Sequence, residues 1–408
     1  MRFGLFYELQ LPKPWHEGAE QQLVEEAIAQ VILADEIGID YAWATEHHFL
    51  EEYAHSSASE VLLSALAART ERIRIGFGIR QVIPYYNHPA RTAEAVSMID
   101  LISKGRVEFG IGESATAMEL DGFYVPFAEK RALALEAAEQ IANMMVMDPY
   151  PGFEGKGFRM PVRNVVPKPV QKPHPPMWMA CTSRSTIEEA ARRGLGALAF
   201  SFVDPEEAKH WADVYYSIIK SDECVPLGHS VNANIAMVAA FSLHEDHDTA
   251  VERGVDGFRF FNYSMKTLVG DENRPGRTNL WERYIAQARE RTLDRQVPGI
   301  GTPDEFFDLV SAYDEVGVDQ VIFLQQGGNN RHSDICESLE LFGKHVLPRF
   351  QQDRDEREAW KADDLAPHIA AALERKEFMT ALDESDIPVV EPHLRKPSPA
   401  GSDPATVR

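Results

Sequence analysis

Four short segments carry side chains able to do chemistry. Glu46-His47-His48-Phe49 sets two histidines beside an acid. Histidine moves protons near neutral pH. Adjacent residues at a strand end point to opposite sides, so one histidine can face a site while the other packs sideways. Two structural histidines are the plainer reading. A metal site adding His55 is a third, but zinc sites need three or more converging ligands. In Cys181-Thr182-Ser183-Arg184-Ser185-Thr186, hydroxyls and an arginine stand at the start of a helix over 187–193. Free backbone N–H groups there make an anion site that suits a phosphate; an ordinary helix cap is the alternative. Cys181 reads as a buried thiol. Gly76-Phe77-Gly78-Ile79-Arg80 has glycines that let something flat approach the backbone, or that serve tight strand packing. Gly110-Ile111-Gly112-Glu113-Ser114-Ala115 matches a dinucleotide fingerprint, yet no adequate helix follows, and the match is discounted.

Eight short apolar runs must position these segments: 2–6, 40–45, 73–79, 106–111, 176–181, 197–202, 234–243 and 320–324. Most are continuous rather than alternating, which fits strands of a parallel sheet buried on both faces. Segments with helical spacing lie between them, such as Val24, Ala27, Ile28, Val31, Ala34, Ile37. Asp35-Glu36-Ile37-Gly38-Ile39-Asp40 is echoed by Asp314-Glu315-Val316-Gly317-Val318-Asp319, and more loosely by Arg192-Arg193-Gly194-Leu195-Gly196. Each reads as a helix ended by a left-handed glycine before a strand. The repeated junction predicts an α/β protein, a (β/α)8 barrel with insertion loops and a C-terminal extension, whose chemistry sits at the C-terminal strand ends. An open doubly wound sheet is the alternative. Two long stretches without pattern, 149–175 and 266–298, read as lids or disordered segments.

Composition narrows the class. The 408 residues are 44% apolar, enough for a large core, and the net charge of −23 repels nucleic acid. Three scattered cysteines suit a reducing compartment. The acid at Glu8 comes too early for a signal peptide, and the expected location is cytoplasmic. Residues 1–350 read as one body. Residues 351–377 are charged and helical, and the proline-rich remainder to 408 cannot bury a core. A helix over 59–68 is apolar on more than one face, which points to a homodimer through it and the helix after Pro89.

Taken in order, these segments resemble the bacterial luciferase-like family of flavin-dependent monooxygenases. The likeness rests on Glu46-His47-His48-Phe49, Asn87-His88-Pro89-Ala90-Arg91, the run from Leu101 to Gly110, Pro173-His174-Pro175-Pro176, and Ala190-Ala191-Arg192-Arg193-Gly194. It implies a barrel that takes reduced FMN from a separate reductase. O2 is then activated as a flavin C4a-peroxide, and a small apolar or aromatic substrate is oxygenated. His47 would lie beside the flavin, with a non-proline cis peptide near Gly78-Ile79 or Ile79-Arg80. Thr182, Ser183 and Thr186 would hold the phosphate, and 266–298 would form the lid. Relatives often carry arginine where Glu113 stands; Arg184 could supply that charge, or Glu113 could face the substrate. The aromatic residues expected near the mouth are Trp43, Tyr85, Tyr86, Phe123, Tyr124 and Trp178. Hydride transfer with a deazaflavin, and a metal-dependent barrel hydrolase built on Glu46, His47 and His55, are the alternatives.

Overall fold

The computed structural model describes residues 1–269, 276–290 and 296–389. Eight parallel strands close into a barrel: β1 (Arg2–Tyr7), β2 (Tyr41–Ala44), β3 (Arg74–Gln81), β4 (Val107–Gly112), β5 (Met177–Cys181), β6 (Gly196–Ala199), β7 (Ile235–Ala240) and β8 (Gln320–Leu324). Each pairs with its neighbours in sequence, and β8 returns to β1 with Arg2 opposite Gln320. All eight strands expected from the apolar runs are present. The seventh ends early. Ser242–Leu243 leaves the barrel to pair with Ile300–Gly301, and Leu243 N–H donates to the Ser338 hydroxyl (2.9 Å).

The apolar runs are continuous because both strand faces are buried. Outward residues such as Phe3, Phe77, Phe109 and Phe323 pack under the surrounding helices. Inward, two indoles fill the barrel: Trp43 and Trp178 meet edge to face at 5.5 Å. They fit because their neighbours lack side chains. A Cβ on Gly76 would lie 2.2 Å from Trp43, and one on Gly196 would lie 2.4 Å from Trp178. Both indoles therefore belong to the barrel interior below the mouth, contrary to the expectation that they line it. The repeated junction is real: Gly38, Gly317 and Gly194 adopt φ of 100°, 88° and 62°, a region costly for other residues.

The helices that matter for the site are α1 (Ala19–Ile37), α2 (Ser59–Arg69), α3 (Pro89–Ser103), α4 (Ala117–Gly122), α5 (Lys130–Val146), α6 (Arg184–Arg192), α7 (Pro205–Ile219) and α8 (His247–Leu268). The stretch 266–298, read as unpatterned, contains α9 (Leu280–Glu290). The buried Glu52 carboxylate accepts Leu280 N–H (2.6 Å) and Trp281 N–H (3.2 Å) and so caps this helix from outside it. Residues 270–275 and 291–295 of that stretch lie outside the described residues. Beyond α10 (Pro303–Glu315), α11 (His332–His345) and α12 (Leu347–Gln351), α13 (Arg354–Arg375) is the expected charged helix. It lies against the barrel floor: Arg2 pairs with Glu358 (2.6 Å), Arg354 with Asp40 (3.1 Å), and Lys361 donates to Asn234 (2.8 Å). Most of the proline-rich end, 390–408, lies outside the described residues.

Candidate functional site

The end of β2 sends its two histidines to different partners. His47 Nδ1 lies 3.0 Å from Glu119 Oε1, and its Nε2 lies 3.5 Å from Glu8 Oε2. His48 Nε2 lies 3.2 Å from Glu46 Oε1, and its ring packs on Tyr86 and Phe123. Glu119 is held rigidly. It is the third residue of α4, whose N-cap is Thr116. Its Oε2 accepts the Thr116 hydroxyl (2.6 Å) and the Ser114 hydroxyl (2.8 Å), while Oε1 also accepts His48 N–H (3.0 Å). Glu8 follows β1 and accepts the Thr45 hydroxyl (2.7 Å) and the Tyr53 phenol (3.1 Å).

Electrostatics follow from this packing. Burial pushes the His47 pKa down, but Glu119 and Glu8 outweigh it and raise the value to about 9. Burial likewise opposes ionisation of Glu119, yet His47 and its hydrogen-bond donors hold it below the usual carboxylate range. Burial dominates at Glu8 and pushes its pKa up despite His47. At neutral pH His47 is an imidazolium with one N–H fixed by Glu119 and the other turned to Glu8. Such a group can hold, lend and recover a proton beside the barrel mouth.

Phe6 at the end of β1, Tyr53, Phe200, Phe202 and Phe261 form an aromatic wall at that mouth, with Phe6 and Phe200 5.1 Å apart and Tyr53 and Phe261 5.7 Å apart. Ile79 packs against the same cluster, and its side chain lies over Gly110 and Gly112 of β4. The peptide Gly78–Ile79 is cis and non-proline, at the first of the two expected positions, and the β3–β4 register shifts there. Arg80 turns the other way. Its buried guanidinium binds Glu60, Glu46 (3.3 Å) and Asn87 (3.0 Å), so its side chain braces β3 from outside.

At the end of β5, Ser183 caps α6, and Thr182 and Ser183 N–H both donate to Thr186 Oγ1 (3.0 and 3.1 Å). Thr182, Ser183 and Thr186 thus form one hydroxyl-lined turn at a helix N-terminus. Arg184 does not supply the charge that Glu113 lacks: its exposed side chain pairs with Glu207 on α7 (2.5 Å). The cation beside Glu113 is Arg131 of α5, in a two-pronged pair (2.8 and 2.9 Å), with Lys130 at 3.7 Å. Glu113 and Arg131 line one cleft with Gly112 and Met179, between the ends of β4 and β5. The carboxylate is therefore neutralised where it stands.

The proposed metal set does not converge. Glu46 serves His48, Asn87 (2.8 Å) and Gln81 N–H (3.0 Å), while His55 faces Glu20 (3.0 Å). Sequence reading missed Glu8, Glu119, Arg131 and the aromatic wall. Of these, Glu119 left a signal: Thr116-Ala117-Met118-Glu119 has the spacing of a capping box, Ser or Thr followed three residues later by an acid.

The model for luciferase-like monooxygenases matches residues 1–320. The chain belongs to the luciferase-like monooxygenase family. This makes it an oxidoreductase, with the barrel fold the family shares. Among curated luciferase-like relatives, the flavin-dependent trigonelline monooxygenase oxygenase component of Acinetobacter baylyi is 25% identical, covering 88% of this chain and 98% of that one. An F420-dependent glucose-6-phosphate dehydrogenase of Microbacterium testaceum is 24% identical, covering 79% and 92%. Among solved structures, the monooxygenase RslO1 of Streptomyces bottropensis superposes with a TM-score of 0.70 at 25% identity, covering 86% of this chain and all of that one. No helix among the described residues of this luciferase-like chain is long and apolar enough to cross a membrane.

Proposed function

We propose that this chain is the oxygenase component of a two-component, FMN-dependent monooxygenase. It takes reduced FMN from a separate flavin reductase and uses O2 to oxygenate a small apolar or aromatic substrate. The observation that carries this reading is the pairing of an anion-ready turn with a proton-holding group on one barrel rim. Thr182, Ser183 and Thr186 at the start of α6, with Arg131 nearby, have the donor chemistry a phosphomonoester needs. When bound, reduced FMN supplies the electrons for O2 reduction. The residues of the chain do the rest. Ile79 and the aromatic wall exclude water and favour an apolar substrate. Glu119 fixes the His47 ring, and His47 keeps a proton at Nε2. Residues 1–350 form the catalytic unit and 351–408 an extension of it, and the free cysteines fit a cytoplasmic enzyme.

The test is anaerobic titration with reduced cofactors, followed by admission of air. Reduced FMN should bind at least ~10-fold tighter than reduced riboflavin, which is ~1.4 kcal/mol of phosphate recognition. Arg131→Ala should remove most of that preference, and Arg184→Ala should leave it. Equal affinity for both flavins would defeat the phosphate assignment. The F420-dependent relative motivates a second reading, hydride transfer with a deazaflavin. Tighter binding of reduced F420 than of reduced FMN would favour it.

The same reading includes a homodimer. Val61 on α2 and Met98, Leu101 and Ile102 on α3 are exposed apolar side chains on adjacent helices. A single exposed apolar residue is ordinary, but four on two adjacent helices suit an interface. Light scattering should return twice the chain mass at micromolar concentration, and Val61→Glu with Met98→Glu should halve it. A wild-type monomer would refute the dimer.

A further inference from the structure

The helix α9 touches segments beyond the ends of four strands. Phe260 of α8, beyond β7, meets Trp281 edge to face at 5.0 Å, and the Tyr284 phenol donates to Asp256 (3.0 Å). A Cβ on Gly328, beyond β8, would lie 3.2 Å from Trp281. Lys13 Nζ, beyond β1, donates to the Thr278 carbonyl (3.0 Å). Glu52, beyond β2, is fully buried. Four donors meet its carboxylate: the Thr278 hydroxyl (2.8 Å) and Leu280 N–H (2.6 Å) at Oε2, Lys13 N–H (3.1 Å) and Trp281 N–H (3.2 Å) at Oε1. The four strands β7, β8, β1 and β2 are neighbours in the closed barrel, so α9 lies as a strap along one side of the rim.

The two edges of the strap are held differently. Toward α8 the hold is apolar packing: Leu280 and Tyr284 are buried in the same cluster as the mouth residues Phe6, Tyr53 and Phe261. Toward the segment after β1, packing gives way to a groove of about 780 Å3 lined by Pro14, Trp15, Trp281 and Ile285. There the Glu52 carboxylate makes the connection. Hydrogen bonds to a carboxylate are stronger than neutral ones, and its loss would leave buried N–H groups without an acceptor. The same residue adjoins the proton-holding group. Its neighbour Tyr53 donates to Glu8 (3.1 Å), whose Oε2 lies 3.5 Å from His47 Nε2. We propose that Glu52 is a positioning residue for the monooxygenase reaction, an inference that rests on that reading: its carboxylate holds α9 along the rim, and the strap so held keeps bulk water from the mouth beside His47.

Two variants of the full chain test it. Glu52→Gln keeps the shape and turns one acceptor atom into a donor that faces two of the four donors. Thr278→Val, at a half-buried position on the strap side, removes only the hydroxyl and leaves the barrel untouched. The first readout needs no flavin: chymotrypsin should cut at Trp281 and Tyr284 at least ~10-fold faster in Glu52→Gln, the rise in local opening that loss of a charge-assisted bond produces. The second is stopped-flow reaction of the reduced FMN complex with air, well below the melting temperature of each variant. Hydrogen peroxide should appear at least ~10-fold faster in Glu52→Gln, by the same rise in local opening. Thr278→Val should show a smaller rise in both. A merely structural role would lower the melting temperature and leave both rates alone. The proposal is overturned if both rates match wild type, or if peroxide appears faster while α9 is cut no faster. If the wild-type chain binds no reduced FMN, the cofactor reading fails by itself, and unchanged cutting of α9 in Glu52→Gln remains the result that overturns the role of Glu52.

Discussion

Glu119→Gln should lower product formation by about 10²-fold while cofactor still binds, because general acid–base groups typically contribute 10²–10⁴-fold. His47→Ala should do the same, with O2 consumed and released as hydrogen peroxide. The two act as one unit: Glu119 fixes the ring of His47 at Nδ1, 3.0 Å away, so the double variant should be little worse than either single one. His48→Ala is the contrast. Its ring serves Glu46 and the Tyr86–Phe123 cluster, so thermal stability should fall more than coupling. The measurement is product against peroxide for each variant, with melts alongside. Normal coupling in both Glu119→Gln and His47→Ala would remove the proton-holding role.

The same cluster has a pH signature. The folded-state pKa of His47 is raised from 6.5 to about 9. A raised pKa stabilises the fold fully below the unfolded value, and that contribution disappears as pH rises through the folded one. Wild-type melting temperature should therefore fall between pH 6.5 and 9 relative to His47→Gln, and peroxide release should climb over the same interval.

Gly110→Ala should destabilise the barrel by about 3 kcal/mol or more, at the upper end of overpacking costs. A Cβ there would sit 2.2 Å from the Phe77 carbonyl oxygen, a backbone atom of β3 at its register shift. Backbone in a closed barrel cannot give way locally. Gly112→Ala, two residues on, meets the Ile79 Cδ1 at 2.1 Å instead. That atom is the far end of a flexible side chain, so this variant should fold. Its cost should appear as weaker cofactor binding, because Ile79 is pushed into the mouth. Chemical denaturation of both variants with flavin titration of the second checks the pair. Equal stability of the two would mean that β3 yields more easily than its packing implies.

Much of this architecture was legible in the residues. Continuous apolar runs reported strands buried on both faces, and one glycine junction used three times reported the repeating unit. The paired histidines and the hydroxyl turn were visible because they are local in sequence. What was not visible is what only closure creates. Glu8 and Glu119 meet His47 from just after β1 and from α4; the Thr116–Glu119 spacing reports the start of a helix, but not that this helix start meets the end of β2. Arg131 meets Glu113 from α5, so the expectation placed on Arg184 had no means of seeing the better-placed cation. Trp43 and Trp178 misled for a different reason: an aromatic on a barrel strand faces the interior or the mouth according to its height along the strand, which residue type alone does not give.

The seam between the first and last strands has a consequence for how the molecule is made. β1 pairs with β8 through Arg2 and Gln320, and Arg2 is held again by Glu358. On the ribosome, one edge of β1 has no partner until residue 320 has been synthesised. At about 5–20 residues per second that is roughly 15–60 s, with the clamp from α13 arriving later still. During this interval the nascent chain carries an open strand edge, the feature most prone to pairing with a neighbouring polypeptide. The sheet can grow from β1 through β7 as each helix emerges, but ring closure is the last event, and the terminal helix seals it only after nearly the whole chain has left the ribosome.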